Sequence, residues 1–204
     1  MSKSLDQPTP GRVTICWGEV TPEMAQYHDF EWGVPVHDDR ALWEKLMLDG
    51  FQAGLSWETI LRKRENFARA FEGWIPETIA RYGESEIERL LADPGIVRNR
   101  LKVRAAVTNA RAYLAMRDEG IAFAPFLWDF AGGVTIDNRP TTFADVPATS
   151  PESDAMSKEL RRRGFTFVGS TICYAFMQAV GIVNDHLADC PVRSRPVVAP
   201  PPRA

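Results

Sequence analysis

The chain has 204 residues, a formal net charge of −3, and apolar and charged fractions of 45% and 25%, the balance of a globular protein with enough chain for one good core. No stretch approaches the roughly 20 apolar residues of a membrane span, and the polar first 12 residues lack the order of a signal peptide. These features predict one cytoplasmic unit over 13–191, between disordered tails at 1–12 and at the proline-rich 192–204.

Helical punctuation dominates. Thr21-Pro22-Glu23 supplies a cap, a first-position proline and an early acid, predicting a helix to about 29. Asp38 caps a second, with Leu42 and Leu46 on one side and Trp43 and Met47 beside them, ending near Gly50 or Gly54. Ser56 restarts a helix through 64, with further helical runs expected at 65–71, 76–82 and 85–92. Asp93-Pro94-Gly95 breaks the last of these before a long helix at 99–117. Downstream come a short aromatic helix at 126–130, one at 153–163 capped by Ser150 or Ser153, and a buried, small-residue-rich helix at 168–180. No strand alternation is legible, and 132–151 is the longest irregular stretch.

Three cysteines in a chain without an export signal argue against a disulfide framework and leave metal or core roles open. His186 and Cys190 are four apart behind a possible Asn184 cap, so a helix would place both on one face, as two metal ligands require. Cys16 and His28, twelve apart near the other end, could complete a tetrahedral Cys2His2 zinc site tying the termini together. Core cysteine and hydrogen-bonded histidine are the ordinary alternatives. His37 reads as a surface-loop residue and Cys173 as core.

Gln52-Ala53-Gly54-Leu55-Ser56-Trp57 joins two helices through small residues, a corner at which backbone can approach a ligand. Trp17, Tyr27, Trp32 and Trp57 are suited either to sandwiching a flat base or to filling a core. Asp49, near the same corner, is either a solvated helix end or a buried acceptor for a base edge. Gly95-Ile96-Val97 between two helices, followed by Arg98 and Arg100, has the form of a helix-hairpin-helix, whose backbone N–H groups would face one phosphate. The alternative is an ordinary helix pair with a glycine turn. From 95 to 117 there are six basic residues and no acid, Lys102, Arg104, Arg111 and Arg117 completing the run, and Lys158, Arg161, Arg162 and Arg163 form a second cluster.

Together these segments resemble the 3-methyladenine DNA glycosylase I family. The likeness is carried by Tyr27-His28-Asp29-Phe30-Glu31-Trp32-Gly33-Val34-Pro35, by 52–57, by Arg64-Glu65-Asn66-Phe67 and Asn109-Ala110-Arg111-Ala112-Tyr113-Leu114, and by 158–165, 168–179 and Val183-Asn184-Asp185-His186. It implies an all-α helix-hairpin-helix glycosylase fold, with a central region at about 38–150 and a small subdomain from 13–37 and 150–191. One structural zinc per chain would sit at Cys16, His28, His186 and Cys190, remote from the base pocket. The implied activity is monofunctional base excision by a monomer on double-stranded DNA containing alkylated adenine. The lesion would be flipped into a pocket where Trp57 stacks on it and Tyr27 and Asp49 hydrogen-bond to it, with Trp17, Trp32 and Gln52 lining the site and Leu55 filling the gap in the duplex.

Two positions depart from the family pattern. Asp49 stands where the family has glutamate, retracting the carboxylate by about 1.5 Å. Cys16 stands one position closer to His28. The Asp49 departure favours a rival reading, a damaged-DNA-binding homologue that no longer excises. A catalytic zinc hydrolase ranks last, since four protein ligands leave no position for water.

Overall fold

The computed structural model describes residues 13–193. The tail expected at 1–12, and 194–204 of the carboxy-terminal one, lie outside the described residues. The described part is mostly helical, with four short strands that the sequence reading did not anticipate. β1 (Val13–Ile15) and β2 (Gly18–Val20) form an antiparallel hairpin, and β3 (Ile136–Asp137) pairs in parallel with β4 (Val183–Asn184). Each strand has only two or three residues, too few for a period-two pattern to register.

Four helices start where the sequence places their caps, at Thr21, Asp38, Ser56 and Ser150. Thr21 accepts from the Met24 amide to open α1 (Pro22–Phe30), and Asp38 accepts from Ala41 N at 2.8 Å to open α2 (Asp39–Gln52). Ser56 caps α3 (Trp57–Ala70), one helix where two runs were expected. A 3-10 turn and α4 (Pro76–Ile79) lead to α5 (Glu84–Ala92). Asn99 caps α6 (Arg100–Asp118), and Ser150 caps α8 (Pro151–Arg162). α9 (Ser170–Ala179) is the buried small-residue helix. α7 runs Phe123–Asp129, three residues earlier than expected. Its start is fixed by a distant group: Asp39 accepts from the Phe123 and Ala124 amides at 3.2 and 2.8 Å.

α2 is central, packing against α3, α6, α7 and α9, and seven of its residues are buried. Beside it Phe51, Phe67, Phe71 and Trp74 form an aromatic stack. The Trp43 indole N–H in the same core donates to the Trp74 carbonyl at 2.9 Å. Such large side chains each contribute about 1.5–3 kcal/mol on burial, so this core holds α2 and α3 rigid behind the corner they share.

α2 runs through Gly50 and stops at Gln52. Lys102, read from the sequence as part of a basic surface run, is buried and turned inward. Its ammonium donates to the Phe51 and Ala53 carbonyls at 2.8 and 2.5 Å, satisfying acceptors that a helix end leaves open. The corner at 53–56 is thereby pinned to α6. Gly54 turns it with φ +77°, a conformation costly for other residues.

Candidate functional site: an aromatic cavity with a cysteine–histidine group behind it

Between α1, the α2–α3 corner and α9 lies a cavity of about 210 Å³, lined by Trp17, Tyr27, Trp32, Asp49, Gln52 and Trp57. Six of the seven residues singled out for base binding therefore meet at one place. The seventh, Leu55, is exposed at the corner. Met24, Lys45, Phe143, Ala175, Gln178 and Ala179 also line the cavity; the sequence reading missed them. Phe143 lies in the stretch read as irregular, and its ring is half exposed.

The walls are aromatic and only partly satisfied. Tyr27 is buried, with its ring centroid 5.1 Å from that of Trp57, and Trp17 meets Trp32 edge-on at 4.7 Å. Burial, with Asp49 nearby, pushes the Tyr27 phenol well above its ordinary range, keeping it a neutral O–H donor. Asp49 is 1% exposed. Its Oδ1 accepts from the Lys45 ammonium, while its Oδ2 has no hydrogen-bond partner among the described residues. The Trp57 indole N–H is likewise buried without a partner. An orphaned acceptor and donor in one cavity are costly unless something binds there.

Lys45 is the main feature the sequence reading missed, although its position four residues before Asp49 on one helix could have signalled it. Its ammonium lies 3.9 Å above the Trp57 ring as well as against Asp49. Burial pushes Lys45 down and Asp49 up, each toward its neutral form, and their mutual attraction opposes both shifts.

Behind Trp17 and Trp32 lies the cysteine–histidine group. Ligand atoms of Cys16, His28 and Cys190 all lie within 4.8 Å of one another. His186 stands at the edge of this group rather than inside it, its ring 4.9 Å from that of His28. The expected helix carrying His186 and Cys190 is absent, and the segment is a series of turns. The Cys190 amide donates to Leu187 O at 2.9 Å, Arg193 to His186 O at 2.6 Å and Leu187 N to Cys16 Sγ at 3.5 Å. Arg193 also pairs with Asp137, so the expected disordered tail begins ordered at 192–193. Close approach of His186 depends on Gly33, where a Cβ would come within 2.7 Å of the imidazole.

The donor set suits a soft divalent cation. Burial, followed by His28, lowers His186 to about 4, so its ring is neutral at pH 7, the form that ligates metal. Its Nδ1 lies 3.0 Å from Asn184 Oδ1, while its buried Nε2 has no hydrogen-bond partner among the described residues. His28 Nδ1 is oriented by Asp29 at 2.8 Å, as ligating histidines commonly are. The group is not remote from the base cavity: the Trp17 ring lies 5.2 Å from His28 and the Trp32 ring 4.5 Å from His186. His37 is exposed and stacked on Trp128, and Cys173 is fully buried, both in keeping with their sequence readings.

The methyladenine glycosylase family model matches residues 17–194. The chain belongs to the methyladenine glycosylase family. DNA-3-methyladenine glycosylase 1 of Escherichia coli is 47% identical over 174 residues, 85% of this chain and 93% of that protein. The DNA-3-methyladenine glycosylase of Haemophilus influenzae is 46% identical over 168 residues, 82% and 91% of the two chains. The solved 3-methyladenine DNA glycosylase I of Staphylococcus aureus, a structure concerned with 3-methyladenine recognition, superposes with a TM-score of 0.86 at 35% identity, covering 89% of this chain and 97% of that one.

On this glycosylase the 93–99 hairpin joins α5 to α6. Gly95 packs against Asn66, and its amide is taken by Asp93 at 2.7 Å. Lys63 donates to the Pro94 and Gly95 carbonyls at 2.9 and 3.3 Å. Ile96 is buried as an anchor. Among the described residues the amides of Val97 and Arg98 have no hydrogen-bond partner. The Arg98 side chain is exposed and makes no ion pair there. The rest of the basic run is largely committed within the protein. Arg100 pairs with Glu84 and Glu88 at 3.0 and 2.7 Å, Arg104 with Glu84 at 2.8 Å, Arg117 with Glu77, and Arg111 donates to Ala80 O. Acids on neighbouring helices, invisible in a local charge count, claim them. In the second cluster Glu159 holds Arg162 and Arg163.

Proposed function

We propose that the protein is a monofunctional DNA glycosylase that removes 3-methyladenine from alkylated double-stranded DNA. The observation that carries this reading is the cavity of Tyr27, Trp57, Trp17 and Trp32, in which Asp49 Oδ2 and the Trp57 indole N–H are buried without partners among the described residues. A flipped base is flat, carries donors and acceptors on its edge, and would satisfy both. N3-methylation makes the nucleotide cationic, so the leaving base is already activated, and the remaining tasks are selection and placement of water. The carboxylate, indole and phenol favour a cation over neutral adenine through charge-assisted hydrogen bonds and cation–π attraction. Leu55, exposed on the rigid corner, would fill the space the base leaves.

The 93–99 turn would act as a helix-hairpin-helix, gripping the DNA backbone through the Val97 and Arg98 amides and the Arg98 guanidinium. Arg100 would serve to tie α6 to α5 rather than to bind phosphate. Cys16, His28, Cys190 and, after a small approach, His186 would hold one structural zinc. Bound zinc would supply a fixed tetrahedral cross-link between the chain's two ends, buttressing Trp17 and Trp32.

The reading is tested by release of free 3-methyladenine from methylated duplex DNA. Trp57→Ala is expected to reduce release at least tenfold while sparing affinity for undamaged duplex; equal loss of both would make Trp57 core only. Arg98→Glu is expected to weaken binding to all duplexes and flatten its salt dependence by about one unit in the log–log slope. An unchanged affinity and slope would remove the hairpin from the interface.

A further inference from the structure

We propose that Lys45 is a specificity-determining residue, a built-in cation that occupies the seat of the cationic base and must swing aside for it. The inference rests on the base-flipping reading above. The two groups expected to select the cation, the Asp49 carboxylate and the Trp57 face, are both engaged by the Lys45 ammonium, one by an ion pair and the other at 3.9 Å. A base stacked on Trp57 and bonded to Asp49 would bring two positive charges onto one carboxylate. The pocket therefore starts close to electrically balanced, which weakens its charge-based preference for an alkylated over a normal base.

The fold offers the ammonium somewhere to go. A second cavity of about 280 Å³ adjoins the first, with Tyr27, Lys45, Trp57 and Ala179 lining both. Its wall includes the carboxyl-bearing Glu31 and Glu44; Glu31 favours a charged Lys45, while Arg64 on the same wall opposes it. Arg64 holds Glu31 from the same wall, with contacts of 2.5 and 3.0 Å. Lys45 is 15% exposed on a flexible four-carbon stem, so its head can exchange carboxylates by rotation while α2 stays fixed. Asp49, released by the swing, is then available to the incoming base.

The test compares Lys45→Gln, which keeps a hydrogen-bond donor near Asp49 without the charge, with Lys45→Met, which removes both. Base release is followed under single turnover on duplex DNA carrying 3-methyladenine, with affinity for undamaged duplex and thermal melting as controls for the fold. The expected result is at least a fivefold gain in the single-turnover rate constant for Lys45→Gln, with undamaged-duplex affinity unchanged and most of the gain lost in an Asp49→Asn background. A purely structural lysine would not show that dependence on Asp49. Glu44→Gln is expected to slow release severalfold in the wild-type background and to have little effect beside Lys45→Gln. If a folded Lys45→Gln releases base at the wild-type rate, or more slowly, the competing-cation role is overturned while the glycosylase reading stands. If neither wild type nor any variant releases base, both readings fall. Should Lys45→Met unfold because Asp49 is left unpaired, Lys45→Gln and Glu44→Gln decide the matter.

Discussion

Replacing Asp49 by asparagine is expected to slow 3-methyladenine release from methylated duplex DNA at least tenfold, about 1.4 kcal/mol of lost transition-state stabilisation. The substitution keeps the shape of the side chain and removes its charge. At an effective dielectric of about 20, two unit charges 4 Å apart interact by about 4 kcal/mol, and Asp49 lies in a pocket where it is almost wholly cut off from water. Lys45 already takes part of that field through Oδ1, which is why the bound is set at tenfold rather than at the full Coulomb value. Oδ2 has no hydrogen-bond partner among the described residues and is the acceptor a cationic base edge would meet. Asp49→Glu extends the carboxylate by about one C–C bond, about 1.5 Å, and is expected to be active, and faster to the extent that the longer arm reaches past Lys45. Single-turnover release of labelled base, normalised to affinity for undamaged duplex, measures both. An Asp49→Asn protein as fast as wild type would reduce Asp49 to a structural partner of Lys45. Excision by Asp49→Glu with none by wild type would instead support the damaged-DNA-binding reading.

The parts of this molecule legible in its sequence are those set by local rules. Thr21, Asp38, Ser56 and Ser150 each cap a helix through their own side chain, and a cap is a contact within three residues. That the base-binding candidates line one cavity was also legible, but through the family resemblance: aromatic composition alone left base sandwich and core equally open. What local reasoning missed was fixed at long range. α7 begins where Asp39 accepts its amides, 84 and 85 residues away in sequence. Lys102 leaves the apparent basic face to cap α2, 49 and 51 residues away. Helical spacing put His186 and Cys190 on one face, yet the segment is held in turns by Arg193 and by the Cys16 sulfur. The cysteine–histidine group was likewise expected far from the base pocket, whereas Trp17 and Trp32, which line the cavity, pack against His28 and His186.

If the group holds the proposed zinc, that adjacency bears on what its removal does. Protein purified without added metal is expected to contain one zinc per chain by elemental analysis, and a Cys190→Ala, His186→Ala double variant is expected to lose it. A ligand present at 1,000 times its Kd stabilises the folded state by about 4 kcal/mol. In a domain of this size each kcal/mol moves Tm by about 2–4 °C, so metal loss should lower Tm by roughly 8–16 °C. Base release should fall with it, because zinc bound at Cys16 and His28 would fix the backbone and ring against which Trp17 and Trp32 pack. Affinity for undamaged duplex should change far less, since the 93–99 hairpin belongs to the α5–α6 pair and is held by Asp93, Lys63 and buried Ile96. Single variants separate the ligands: Cys190→Ala should cost more metal affinity than His186→Ala, because Cys190 lies within the close group and His186 at its edge. Full zinc retention in the double variant, or a wild-type protein that melts identically with and without a chelator, would leave these four residues a packed aromatic and thiol cluster with no metal to hold.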